Sequence, residues 1–182
     1  MDWDLMLSDL ESSFDAERRA DLVAQSAELA EAEHASIEVV DRLRGSVGRP
    51  VHLRTRGGLP VDGVIARVEP TYVLVDEGEE LQAIVPLAAV ATIAALAGPA
   101  PRDDRRRPTL RALLREIARR GARVRLVLGV GEVVGRLIRV GADHVDVALD
   151  PEGGIRARRA PGTGGAGVVS VMTAAIEVLR SR

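Results

Sequence analysis

Apolar positions recur with a helical period in three stretches of the chain and with a period of two in most of the remainder. Trp3, Leu7, Leu10 and Phe14 follow one another at spacings of 4, 3 and 4, the stripe of an amphipathic helix. Residues 16–35 are rich in Ala, Glu, Arg and Leu, with Leu22 and Leu29 one heptad apart, and predict a second helix or a continuation of the first. Its apolar face is thin and needs a partner surface. Ser36 is placed to cap a short helix carrying Ile37, Val40 and Leu43 and ending near Gly45. Its counterpart is Thr109 to Arg120, with Leu110, Leu113, Leu114 and Ile117 on one face and Gly121 behind it.

After each short helix the period changes to two. Val51 and Leu53 alternate with His52 and Arg54, and Val124, Leu126 and Leu128 alternate with Arg123 and Arg125, which predicts half-buried strands. Gly57-Gly58 and the stretch from Gly129 to Gly131 supply hairpin turns, and Gly63 and Gly135 stand where second strands bend. Third strands are predicted at Tyr72 to Val75 and His144 to Leu149. IVPLAAVATIAAL from Ile84 and VVSVMTAAIEVL from Val168 predict closing strand pairs, interrupted at Pro86 and Ser170. The loops before them differ, short and acidic at Asp76 to Glu80, long and irregular at Asp150 to Gly167. GPAPRDDRRRP from Gly98 to Pro108 reads as a linker.

These elements are two copies of one module. Gly48, Val51, Leu53, Gly63, Ile65, Arg67, Val68, Val73 and Val75 match Gly121, Val124, Leu126, Gly135, Leu137, Arg139, Val140, Val145 and Val147. The predicted organisation is a helical arm over 1–35, a first module over 36–97, a linker over 98–108 and a second module over 109–182. Cores of this size are marginal alone, which favours mutual packing or self-association.

Composition narrows the chemistry. With no cysteine there is neither a disulfide framework nor a thiolate metal site. The acidic start lacks a secretion signal's basic region, and no apolar run reaches the roughly 20 residues of a membrane span, so a cytoplasmic protein that does not engage a membrane is expected. All 25 basic residues are Arg, as a GC-rich genome would encode. The net charge of −2 is unevenly distributed: 4 Arg stand against 12 acidic residues over 1–45, and 17 against 9 over 101–182. An acidic first segment and a basic last half imply an electrostatic partner, either nucleic acid or the protein's own acidic arm.

A helix followed by five short strands, with a bent second strand and a brief turn between the fourth and fifth, resembles the Sm-like barrel of the LSm and Hfq families. GVIARVE from Gly63 and GRLIRVG from Gly135 resemble the first Sm motif, and IVPLAAVATI resembles the second. The WDLMLSDLE start and the VPLAAV and VGADHVDV segments also resemble features of a family of tandem proteins from high-GC bacteria. The resemblance implies a mainly β chain with a helical N-terminal arm and two tandem Sm-like (SH3-like) small β-barrels, each preceded by a short helix. It implies RNA binding and oligomers formed through exposed strand edges. The places where Sm proteins hold a base are Thr71 and Val73, and Asp143 and Val145, so the base pocket is not carried over; Glu69 keeps an acidic position that becomes Gly141 in the second copy.

Candidate binding residues are arginines. Arg111, Arg115 and Arg119 lie at i, i+4 and i+8, opposite the apolar face of their helix. With Arg105, Arg106 and Arg107 of the linker, Arg123 and Arg125 of the next strand, and Arg156, Arg158 and Arg159 of the long loop, they form the nucleic-acid-binding set. The same stripe is also what a solvated helix face, or a dock for the acidic arm, would show. Tyr72 is the single aromatic of either module, and burial accounts for it better than base stacking. GTGGAG at Gly162 to Gly167 precedes a strand, which is the wrong context for a phosphate-cradling loop. His34, His52 and His144 lack metal-ligand spacing, so no metal, cofactor or catalytic constellation is implied. The expectation is a non-enzymatic, RNA-associated protein acting through the second module. The alternative is an oligomeric scaffold whose first helix, through Trp3, Leu7, Leu10 and Phe14, docks a protein partner.

Overall fold

The structure is a computed structural model that describes residues 3–101, 107–150, 155–157 and 167–181; for residues 3–5, 7–11, 13, 15, 16, 20, 155–157 and 181 it describes the backbone alone. The chain divides into two compact units, Met1–Glu38 and Val39–Arg182. The first unit is one helix, α1 (Trp3–Ala35), about 50 Å long at 1.5 Å per residue. It runs unbroken because no Gly or Pro interrupts it. Its described side chains are exposed, among them Phe14, Leu22 and Leu29.

The second unit is mainly β. Its elements are α2 (Val39–Gly45), β1 (Pro50–Thr55), β2 (Pro60–Glu69), β3 (Tyr72–Gly78), β4 (Leu81–Pro86), β5 (Val90–Ala94), α3 (Leu110–Arg120), β6 (Arg123–Leu128), β7 (Gly131–Val140), β8 (His144–Leu149), β9 (Ile155–Ala157), β10 (Val168–Met172) and β11 (Ile176–Ser181). All the pairings are antiparallel, in the order β10-β8-β7-β6-β11-β4-β3-β2-β1-β5, with β9 beside β7. Short 3-10 turns, Leu87–Ala89 and Thr173–Ala175, separate β4 from β5 and β10 from β11.

Two features of the repeat acquire a physical cause. A Cβ on Gly63 would stand 2.2 Å from the carbonyl oxygen of Asp76, and one on Gly135 would stand 2.1 Å from that of Ala148. Only glycine lets the second strand approach the third this closely. Just beyond, the pairing register shifts between Ile65 and Arg67 and, at the equivalent place, between Leu137 and Arg139. These bulges bend β2 and β7 identically.

Each repeat builds a core, and each core borrows from the other repeat. Leu43, Val51, Leu53, Ile65, Val73, Val75 and Val85 form the first, joined by Val178 of β11, with Val127 packed against it. Leu114, Val124, Leu126, Leu137, Val145, Val147 and Leu179 form the second, joined by Tyr72 and Ile84, with Leu74 packed against it. The exchange occurs because β4 pairs with β11, Ile84 opposite Leu179. Successive side chains on a strand point to opposite faces, so Ala83 and Val85 enter the first core while Ile84 enters the second. Burial on both faces explains the consecutive apolar residues Ala83 to Val85 and Val178-Leu179. Thr55 of β1 reinforces the joint by donating from its hydroxyl to the Glu177 carboxylate of β11, at 2.7 Å.

The strands of both repeats form one open antiparallel sheet, continuous through the pairing of β4 with β11 of the other repeat. One expectation needs correction: Ser170 does not interrupt pairing; it sits opposite Asp146 within β10, and the chain turns after Met172. A strand inside the long loop, β9, was not anticipated.

Local signals at α3 perform as read. Thr109 caps its start, its hydroxyl accepting from the Ala112 N–H at 3.3 Å. Gly121, at φ 61°, ends it, with its own N–H bonded to Ala118 O and that of Ala122 to Ile117 O. That 5→2 and 6→1 pair is a Schellman cap. The first N–H of α3, on Leu110, bonds Thr71 Oγ1 at 2.9 Å, which anchors the helix of the second repeat to the β2–β3 turn of the first.

Candidate nucleic-acid interface

The arginines of the second repeat occupy two surfaces. On α3 the residues Leu110, Leu113, Leu114 and Ile117 pack against the second core, which leaves Arg111, Arg115 and Arg119 exposed on the other side. Four arginines share this helix with a single Glu116. Arg119 and Arg120 both pair with that glutamate, the latter at 2.7 Å. Arg111 donates to the Ala142 carbonyl, next to Asp143, where its charge adds to the His144 hydrogen bond in lowering the carboxyl. Arg115 has no ion pair or hydrogen bond among the described residues. The face is therefore net positive, and its cations are held on a rigid, capped helix.

The second surface is a cleft of about 710 Å³ where the two repeats meet. Alternation along β6 sends Val124 and Leu126 into the core and leaves Arg123 and Arg125 more than half exposed. These two arginines form one wall with Val134. Asp62 and Glu77 of the first repeat form the other, with Pro60 and Leu81 beside them, and Arg180 of β11 lines the cleft as well. Arg180 grips Glu77 through two parallel hydrogen bonds of 2.6 Å. The Glu77 carboxylate holds the Arg180 guanidinium above its ordinary pKa, against the opposing effect of partial burial. Arg123 gives its Nε to Asp150, and Arg125 lies 3.7 Å from Glu132. Asp62 binds the His52 ring at 2.8 Å. The cleft thus carries two arginines from the second repeat, each beside a carboxylate of its own repeat, and two carboxylates from the first, of which Glu77 is bound by Arg180.

Other residues singled out in the sequence are placed differently. Arg107 faces the fully buried Glu69, 3.9 Å away, and Arg67 donates to the same carboxylate at 2.5 Å. The acidic position retained in the first repeat is thus an internal charge bracketed by two guanidinium groups, as buried carboxylates require. Tyr72 is buried in the second core, and burial followed by the nearby Glu69 charge raises its phenol above the usual value. The His144 ring, hydrogen bonded at 2.8 Å, lowers the Asp143 carboxyl below its usual value on an exposed turn. Arg105, Arg106, Arg158 and Arg159 lie outside the described residues. Arg156 lies on β9 opposite Glu132, with its backbone alone described. Of the docking residues, Phe14 is 64% exposed on α1, and the side chains of Trp3, Leu7 and Leu10 lie outside the described set.

Sequence reasoning missed Asp62, Glu77 and Arg180. Arg180 is the one cation of the last strand, opposite in charge to the acidic Asp76 to Glu80 turn, but it lies 103 residues from Glu77 and no local period links the two. Among the described residues no three His, Asp or Glu side chains converge as a metal site requires, and no helix is long and apolar enough to cross a membrane. Neither the models of known protein families nor the curated proteins compared with the chain match it.

Proposed function

We propose that the chain is a non-enzymatic nucleic-acid-associated protein, built on two Sm-like, SH3-like small barrels, that binds RNA backbone through the arginines of its second repeat. The observation that carries the reading is the α3 face: Arg111, Arg115 and Arg119 exposed in one row on a helix whose opposite side is fixed in the core. A row of guanidinium groups tracks phosphates without reading bases, and the burial of Tyr72 leaves no aromatic of the second unit available for stacking. The barrel assignment rests on the shared order of helix and strands, the matched bulges in β2 and β7, and the 3-10 turns before β5 and β11.

The test is binding of labelled RNA and duplex DNA across a salt series. RNA affinity should fall steeply with salt, and replacing Arg111, Arg115 and Arg119 together by Ala should reduce the logarithmic salt slope by about 2. Absence of binding at low salt would defeat the proposal.

A second reading, an oligomeric scaffold, draws on α1. A 33-residue helix whose described side chains are all exposed, Phe14, Leu22, Val23 and Leu29 among them, presents apolar groups that a protein partner would cover. Deleting residues 1–15 should then remove a co-purifying partner or lower the oligomer mass measured by light scattering; an unchanged complex and mass would count against it.

A further inference from the structure

We infer that the cleft between the repeats binds one nucleotide unit, its phosphate on Arg123 and Arg125 and an amino-bearing base, guanine above all, against Asp62, beside the Glu77–Arg180 pair. This rests on the nucleic-acid reading and gives it a second, base-selective site away from the α3 row.

Size is the first support. A volume of about 710 Å³ lies within the roughly 300–1,000 Å³ typical of small-ligand sites. The donor inventory is the second. Arg123 commits its Nε to Asp150, and Arg125 makes an ion pair at 3.7 Å but no hydrogen bond among the described residues. Each guanidinium carries five N–H donors, so both retain a fork suited to phosphate oxygens. Arg180 is different: two of its donors are held by Glu77, and it acts as the fixed floor between the walls.

The acidic wall selects the other end of the ligand. An ionised carboxylate only accepts hydrogen bonds, and Asp62 engages just Oδ1, with His52. Inorganic phosphate would satisfy the basic wall alone, and a second anionic group would be repelled by the acidic one. A base that brings donors satisfies both. Guanine presents N1–H and its amino group side by side, matching the two oxygens of one carboxylate, whereas uracil turns carbonyl oxygens toward it.

The experiment is calorimetric titration of the full chain with guanosine monophosphate, uridine monophosphate and inorganic phosphate, with thermal melts confirming that each variant is folded. The guanine nucleotide should bind about tenfold tighter than the uracil nucleotide. Arg125→Ala should weaken both nucleotides about tenfold, and Asp62→Asn should erase the guanine preference while phosphate binding persists. Displacement of the nucleotide by a guanine-containing oligoribonucleotide identifies the natural source as RNA; retention identifies a free nucleotide. Failure of any nucleotide to bind, or indifference to Arg125→Ala in a folded variant, overturns the inference. If RNA still binds and only the α3 triple variant loses it, the cleft proposal falls and the nucleic-acid reading stands.

Discussion

The joint between the repeats and the two free edges of the sheet share one set of registers and differ in what fills them. At the joint, Leu74 lies opposite Ile84 on β3 and β4, and Val127 opposite Val178 on β6 and β11. The repeat-equivalent pairs at the free edges are Asp146 opposite Ser170 on β8 and β10, and Arg54 opposite Thr92 on β1 and β5. Backbone geometry therefore offers the same pairing surface twice. At the joint these positions are apolar and complete the neighbour's core. At the edges they are polar, and Ser170 donates to Asp146 at 2.6 Å, satisfying both groups without a neighbour. Four side-chain choices decide whether a strand pair becomes an interior or a surface, which is how sheets keep open edges from pairing indiscriminately.

The most damaging way to break this contrast is to give the joint an edge residue. Ile84→Ser places at the joint what β10 carries at the equivalent position, removing a buried side chain and adding a hydroxyl to the second core. The loss should be about 3 kcal/mol, read as a lower denaturant midpoint in equilibrium unfolding. Because Ile84 belongs to one repeat and its core to the other, both repeats should unfold in one transition of reduced stability. Two separate transitions in the native chain would show that the exchange of core residues does not couple the repeats.

What the sequence disclosed and what it concealed divide along the same line. Thr109, Gly121, Gly63 and Gly135 act within a few residues of themselves, so these caps and bends were legible, and the α3 arginine row was legible because a single helix generates its period. The cap expected at Ser36 is not made, since its hydroxyl donates to Glu33 O at the end of α1 and α2 begins only at Val39. The seam of β4 and β11 was hidden: IVP is an apolar run and IEVL is apolar but for Glu177, and residues buried on both faces carry no sign of which neighbour covers them. β9 was hidden as well, since Ile155 is the only large apolar residue in its segment. The cleft inherits this limit, because Asp62 and Glu77 meet Arg123, Arg125 and Arg180 only once the repeats are joined.

The reverse exchange sharpens the comparison with a smaller effect. Asp146→Leu together with Ser170→Ile rebuilds on β8 and β10 the pair found at Leu74 and Ile84. Hydrophobic burial against the β5 edge of a second copy should then tighten self-association about tenfold or more, measured by sedimentation over a concentration series. Unchanged sedimentation would mean that register and side-chain polarity are not sufficient to turn a free edge into a joint.

The smallest effect separates the two regions by titration. Tyr72 packs at the joint, while its repeat equivalent at the free edge is His144, and the chain contains no other tyrosine. Burial first and the Glu69 charge second raise the Tyr72 phenol above its ordinary value of about 10, with Arg67 opposing. Below that value both folded and unfolded chains keep the proton, and the contribution to stability is complete. Above it the unfolded chain ionises first and binds fewer protons than the native chain, so stability falls as pH rises until the raised native value is passed. For one proton the slope cannot exceed about 1.4 kcal/mol per pH unit. Phenolate absorbance should report ionisation in the folded protein at higher pH than in denaturant, and Tyr72→Phe should flatten the alkaline loss of stability. An equal slope in that variant would place the alkaline sensitivity outside the joint.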